Sequence, residues 1–289
     1  ADVYKRQGPL SSSGETSSKG ICCMPATSAP TDMPQGMPLN AAPGPVTNAS
    51  VCPEEIARFS ALAQQWWDPT GPMRPLHAMN TVRTEWISRH LPLRGRTSRR
   101  VRLLDIGCGA GLASESLATA GHDVLGLDAS ADGIAAARAH LEAHPLPAGS
   151  GPLTYRNGSA EGLVAEGQRF DAVIALEIIE HVTDPEAFVQ LLSALVEPGG
   201  TVIVSTMNRT LRSFAIGKVG AEYLLRLLPV GTHDWKKFIR PSDLARQARA
   251  AGLDMQTITG LTPGPAGWAN SWKETRDLSV NYIASFIKR

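Results

Sequence analysis

Residues 101–111, VRLLDIGCGAG, constrain this chain more than any other stretch: an apolar run enters a turn with glycines at 107, 109 and 111, and Asp128 closes the next apolar run. Strand, glycine turn, helix and a second strand ending in an acid make the nucleotide-binding crossover of an α/β sheet. The dinucleotide form of that turn is spaced G-x-G-x-x-G. Here position 112 is Leu and the third glycine comes one residue early, so the turn suits a different ligand. Glycine is required where a side chain would hold the backbone off a ligand or forbid a positive φ.

The remaining pattern is read from its period. From Pro53 the apolar residues Ile56, Phe59, Ala63 and Trp66 recur at three or four residues, up to the breaker at 68–72, and a second helix is expected over Thr81 to His90. Strands are then expected at 101–105, 123–127, 153–157, 171–176, 201–206, 253–260 and 280–287, with helices at 111–120, 131–142 and 185–195. Short apolar strands separated by helices imply a mostly parallel sheet with right-handed crossovers. The fold class is therefore α/β, with seven strands and flanking helices. Residues 208–240 interrupt the units and read as a helical insertion, or lid, over the carboxyl ends of the strands, the edge where such sheets bind ligands.

Composition narrows the class further. A chain of 289 residues with 43% apolar side chains can bury one sizeable core, and a net charge of +1 carries no nucleic-acid footprint. The four cysteines, at 22, 23, 52 and 108, form neither a disulfide framework nor a zinc spacing, which points to a reducing compartment. Cys108, inside the glycine turn, reads as a small residue filling a tight bend or as a reactive thiol near a helix amino end. Residues 1–50 are rich in Ser, Pro, Gly, Thr and Ala without sustained period; they are expected to be a disordered leader, with Met24, Met33 or Met37 as candidate starts. The folded domain is expected over 51–289, with 51–95 as a helical N-terminal addition.

Chemistry concentrates at the ends of the strands. Asp105 reads either as an acceptor that orders the glycine turn or as a local cap. The fourth strand runs into ALEIIEHVTDPEAF. On a helical turn Glu177, Glu180 and His181 would share one side, at i, i+3 and i+4. Such a cluster suits a hard divalent cation such as Mg²⁺, or His181 as a direct general base oriented by a carboxylate; its plain reading is an acidic turn with a capping histidine. Trp66 and Trp67 read as a lid over the crevice or as ordinary packing. In 208–240, Phe214, Ile216, Tyr223 and Leu227 lie among Arg209, Arg212, Lys218, Lys236 and Lys237, which suits either an anionic membrane surface or a substrate lid.

The glycine turn and Asp128 resemble the first motif of class I S-adenosylmethionine (SAM) methyltransferases, so the resemblance implies the Rossmann-like class I methyltransferase fold, a mostly parallel seven-stranded sheet with an antiparallel last strand. Longer pieces, FSALAQQWWDPTGPMRPLHAMNTVRTEWI (59–87), LEIIEHV (176–182), STMNRTLRSF (205–214), VGAEYLLRLLPVGTHDWKKFIRP (219–241) and DLSVNYIASF (277–286), resemble the ubiquinone-biosynthesis O-methyltransferase family from about Glu54 to the end. That resemblance implies SAM as cofactor and methyl transfer to polyprenylated phenol or quinol substrates at two steps. It implies SAM contacts at Arg83, Gly107, Asp128 and Leu176, adenine contact near Ser159 and Ala160, and a divalent cation at Glu177, Glu180 and His181. Gly109 and Gly111 complete the cofactor turn, and Asp105 would reach the SAM ammonium through water. Expected partners are the lipophilic substrate, an anionic membrane surface met through 208–240, and other ubiquinone-biosynthesis proteins; the expected place is the bacterial cytoplasm at the inner membrane, since the leader shows no Arg-rich amphipathic transit helix. A methyltransferase for another phenol, a noncatalytic scaffold and a nicotinamide-dependent oxidoreductase are the competing readings.

Overall fold

The fourth strand, FDAVIAL, is apolar on both faces because helices cover both faces of a parallel sheet. In the computed structural model, which describes residues 50, 53–60, 62–71, 73–92, 100–215, 235–265, 267 and 270–289, every residue of that strand is buried. The strands are β1 (Arg102–Ile106), β2 (Asp123–Asp128), β3 (Leu153–Asn157), β4 (Phe170–Leu176), β5 (Val196–Met207), β6 (Leu253–Pro263), β7 (Trp272–Thr275) and β8 (Asn281–Lys288). They form one sheet in the order β3-β2-β1-β4-β5-β8-β6-β7. β1 to β5 pair in parallel, and β8 runs antiparallel between β5 and β6.

Two expectations are corrected in detail. The sheet has eight strands rather than seven, because β7 pairs antiparallel with the end of β6. Four residues with a single buried side chain, Trp272, are too few to show a period of two. β5 begins at Val196 rather than at 201: Phe170 pairs with Val196, Ala172 with Thr201, and a bulge takes up the residues between.

The helices are α1 (Pro53–Ser60), α2 (Arg74–His90), α3 (Leu112–Thr119), α4 (Ala131–Ala143), α5 (Ala160–Ala165), α6 (Pro185–Leu195), the single turn α7 (Leu211–Ser213) and α8 (Pro241–Ala250). α2 starts seven residues before Thr81. Pro75 lies in its first turn, where a missing N–H leaves no hydrogen bond unmade. Met79, Trp86 and Ile87 on α2 are buried with Leu103, Leu117 and Ile174, and Asn80 Nδ2 donates to Leu112 O (3.0 Å) and Ser116 Oγ (2.8 Å) on α3. At about 1.5–3 kcal/mol for each large apolar side chain buried, this contact fixes α2 on the sheet layer.

Of the expected insertion, 208–215 and 235–240 are described; 216–234, and residues 1–49 of the expected leader, lie outside the described residues. Among the described residues no helix is long and apolar enough to cross a membrane. Strand order reverses between β1 and β4, which opens a crevice beyond their carboxyl ends.

Candidate functional site

β1 delivers the glycine turn to that crevice. Gly107, Gly109 and Gly111 have φ of 73°, 55° and 91°, and Gly107 N–H and Cys108 N–H both donate to Leu127 O. A Cβ on Gly109 would lie 2.5 Å from the Trp66 ring and one on Gly111 2.1 Å from the Tyr155 hydroxyl, so space as well as backbone conformation demands glycine there. Asp128, at the end of β2, accepts from Gly109 N–H through Oδ2 (2.8 Å) and from Ser130 N–H through Oδ1 (2.7 Å). Burial pushes its pKa up, while the two N–H groups favour the anion. Each oxygen keeps acceptor capacity beyond its one bond, so a vicinal diol can be held by the carboxylate that shapes the turn.

Asp105 sits beneath the turn, 2% exposed, and accepts from Ser114 Oγ at 2.5 Å, which ties β1 to α3. Burial pushes its carboxyl up to about 6, against the Ser114 hydrogen bond and the Arg83 charge. Arg83 is 5% exposed on α2. One of its terminal nitrogens donates to Asn80 Oδ1 (3.1 Å), and its Nε has no partner. Desolvation lowers its pKa, and the nearby Glu177 and Asp105 oppose that. A buried guanidinium short of acceptors is costly, and an incoming carboxylate is the group that would satisfy it.

The N-terminal segment closes over the turn. Trp67 Nε1 donates to Ala110 O (2.9 Å), and its ring stacks on His140 with centroids 3.4 Å apart. Trp66 lies against Gly109. Cys108 is buried, and its thiol pKa is raised well above normal by burial and by Asp105 and Asp128, so it is an inert filler of the bend. Leu176 ends β4 at 8% exposure. Ser159 caps α5 by accepting from Gly162 N–H, and Ala160 is buried behind it.

The helical turn expected to begin at Glu177 is corrected. Glu177 has φ +54°, which takes the chain out of helical geometry directly after β4. Its N–H donates to Ser205 O (3.1 Å), and Ser205 Oγ donates to its Oε1 (2.9 Å). Glu180 accepts from Thr206 Oγ1 (2.8 Å). The two carboxyls hydrogen-bond each other. Burial raises both pKa values, that of Glu180 to about 8 with the neighbouring Glu177 charge adding to the shift. His181 instead pairs with Glu55 of α1, Nδ1 to Oε2 at 3.2 Å, and Lys237 Nζ lies 3.7 Å from Glu55 Oε1. Among the described residues no three His, Cys, Asp or Glu side chains are gathered to hold a metal ion.

Several participants escaped the sequence reading. Ser205 and Thr206 had a usable signal, since the ends of adjacent parallel strands β4 and β5 meet at the same edge. Asn80, Ser114 and Glu55 carried none, because each matters through a partner remote in the chain.

Comparison with known proteins agrees with this geometry. A methyltransferase-domain family model matches residues 77–258. The chain is 43% identical over 256 residues to a ubiquinone biosynthesis O-methyltransferase of Cereibacter sphaeroides, covering 84% of this chain and 99% of that one. It is 46% identical over 243 residues to the protein of the same name from Azorhizobium caulinodans, covering 82% and 93%. Among solved structures, magnesium protoporphyrin IX methyltransferase from Synechocystis with bound SAH superposes with a TM-score of 0.53 at 18% identity, over 82% of this chain and 94% of that one. A SAM-dependent methyltransferase from Thermotoga maritima, a possible histamine N-methyltransferase, gives 0.54 at 18% identity, over 82% and 99%. These two show the class I fold; the sequence relatives show the family. With a class I SAM-dependent methyltransferase fold and such relatives along more than four-fifths of its length, the chain belongs to the ubiquinone biosynthesis O-methyltransferase family.

Proposed function

We propose that this chain transfers the methyl group of SAM to a ring hydroxyl of polyprenylated catechol-type intermediates in ubiquinone synthesis. The reading rests on the family relationship, which covers more than four-fifths of the chain. The residues present fit SAM. The buried Arg83 Nε lacks a partner and suits the amino-acid carboxylate, and Asp128 has acceptor capacity for the ribose hydroxyls. Asp105 would face the ammonium group, Leu176 would give the adenine an apolar wall, and Ser159 and Ala160 would border the ring. Bound there, SAM supplies an electrophilic methyl group on a sulfonium.

The chain's own part is alignment and proton removal. Holding acceptor and donor in line removes much of the entropic barrier. His181 takes the phenolic proton, a role suited to imidazole near neutral pH. A divalent cation at Glu177, Glu180 and His181 does not fit the donor set as it stands, because Ser205 and Thr206 engage the two carboxyls, which also hydrogen-bond each other, and Glu55 engages His181. Peripheral contact with an anionic membrane surface is part of the same reading: Leu211 is 80% exposed and Phe214 37%, with Arg212 between them, at the start of 208–240.

The test is transfer of labelled methyl from SAM to a short-tailed demethylubiquinol, kept reduced, with and without EDTA. Transfer that persists in EDTA is expected. Transfer abolished by EDTA and restored by Mg²⁺ would overturn the metal-free account, and no transfer by folded, SAM-binding protein would overturn the substrate assignment.

A further inference from the structure

One stretch of chain joins the surroundings of Asp128 to Arg83. α1 ends at Ser60, whose Oγ shares a hydrogen bond with Ser130 Oγ at 2.7 Å, and Ser130 N–H is itself a donor to Asp128. Beyond α1 a 3₁₀ turn (Ala63–Gln65) leads to Trp66, which lies against Gly109, and to Trp67; the chain then enters α2, which carries Arg83. Trp67 holds this crossing to the domain in two ways. Its Nε1 donates to Ala110 O at 2.9 Å, and its ring lies within 3° of parallel to that of His140 at a centroid distance of 3.4 Å. His140 is fixed in turn, with Nδ1 2.9 Å from Glu115 Oε1 on α3 and the His144 ring stacked on it at 4.4 Å. His77 Nε2 donates to Trp66 O at 2.8 Å, and after Trp67 the chain turns through Asp68, Pro69 and Thr70, all exposed.

We propose that the segment carrying Trp66 and Trp67 is a strap over the cofactor, opening to admit SAM and to release the demethylated product, with Trp67 as its latch. This rests on the reading of the crevice as the SAM site. The strap runs from beside the carboxylate that faces the ribose to the helix whose guanidinium faces the amino-acid end, so a ligand held by both lies beneath it. The 3₁₀ turn on one side and the exposed turn on the other absorb the bending, while α1, α2 and the sheet keep their places. The latch is an aromatic stack and a hydrogen bond, each worth about fivefold in an equilibrium. Both are contacts of the chain with itself, so weakening them raises the open fraction equally whether the cofactor is bound or not. Entry and exit then quicken together, and their ratio, the affinity, stays where it was. Loss of a group that touched the cofactor would instead speed exit, weaken affinity and leave entry alone.

The experiment measures association and dissociation rates of SAM and of S-adenosylhomocysteine by rapid mixing, affinity by calorimetry, and the thermal midpoint, for the full chain and its variants Trp67→Phe, His140→Ala and Trp67→Ala. Trp67→Phe keeps a ring on His140 and loses the N–H; His140→Ala keeps the N–H and loses the stack. Each is expected to raise both rates about fivefold, and Trp67→Ala about 25-fold, with Kd within about twofold of wild type. Unchanged rates in every variant would overturn the proposal, whatever happens to the thermal midpoint. So would faster dissociation with unchanged association, which marks a cofactor contact or a damaged pocket. Folded wild-type protein that binds neither ligand would overturn the reading of the crevice as the SAM site, and the proposal with it.

Discussion

Replacing Arg83 with Met separates affinity from stability. Met has a straight chain, fills most of the same volume and offers no donor. Arg83 is 5% exposed, gives a hydrogen bond to Asn80 and leaves Nε unpaired, so a desolvated charge is held with incomplete compensation. Replacing such a charge with an apolar side chain is often neutral or stabilising. The carboxyls left behind can neutralise by taking up a proton, Asp105 already titrating at about 6. The thermal midpoint at pH 6 is therefore expected to stay level or rise. Binding runs the other way. Deleting one partner of a buried, hydrogen-bonded charge pair costs about 2–5 kcal/mol, which is about 30-fold to several thousand-fold in Kd. Calorimetry with SAM and with 5′-methylthioadenosine, which lacks the carboxylate, is the assay. The loss should appear for SAM alone. An equal loss for both ligands would show that Arg83 shapes the pocket rather than pairing with the carboxylate, and unchanged SAM affinity would refute the pairing outright.

Asp128→Ala leaves Gly109 N–H and Ser130 N–H without their acceptor and removes the proposed ribose contact; charge-assisted hydrogen bonds at about 1.5–3 kcal/mol predict a loss of SAM affinity of about 10-fold or more. Unchanged affinity by calorimetry would remove Asp128 from the cofactor site. Asp105 yields a pH prediction: its carboxyl titrates near 3.8 when unperturbed and at about 6 in the fold, chiefly through burial, so the folded state keeps a proton that the unfolded state has lost between those values. Stability from this group is full below the lower value and falls as pH rises through about 6. Asp105→Asn, whose amide oxygen still accepts from Ser114, should flatten denaturant-measured stability between pH 4 and 7, and parallel wild-type and variant profiles would contradict the buried-carboxyl account.

What the sequence discloses is what local physics determines. Apolar runs mark β1, β2, β4 and the end of β5, since a strand covered on both faces is largely apolar, whereas the edge strand β3 buries Tyr155 alone. The spacing of Gly107, Gly109 and Gly111 discloses the turn because steric exclusion acts within a few residues. Asp128 is legible for the same reason, as its partners Gly109 and Ser130 come from the turn it closes and from the next helix cap. β7 and the first turn of α2 are harder: one is too short for a period, and the other hides behind a proline that is harmless at its position.

The acidic cluster shows where such reading stops. Spacing of i, i+3 and i+4 places side chains together only if the backbone between them is helical. Glu177 breaks that condition with φ +54°, a conformation that costs a non-glycine residue on the order of 1 kcal/mol or more. What offsets the cost is remote in sequence: Ser205, the β5 partner of Leu176, accepts the Glu177 N–H with its carbonyl and holds the side chain with its hydroxyl. Once Glu177 turns, Glu180 faces Thr206 and His181 faces Glu55. The same three residues thus read as a metal site on a helix and as a carboxyl pair beside a separate carboxylate–histidine pair on this backbone. The difference is one dihedral angle, stabilised by a strand that the chain reaches only later.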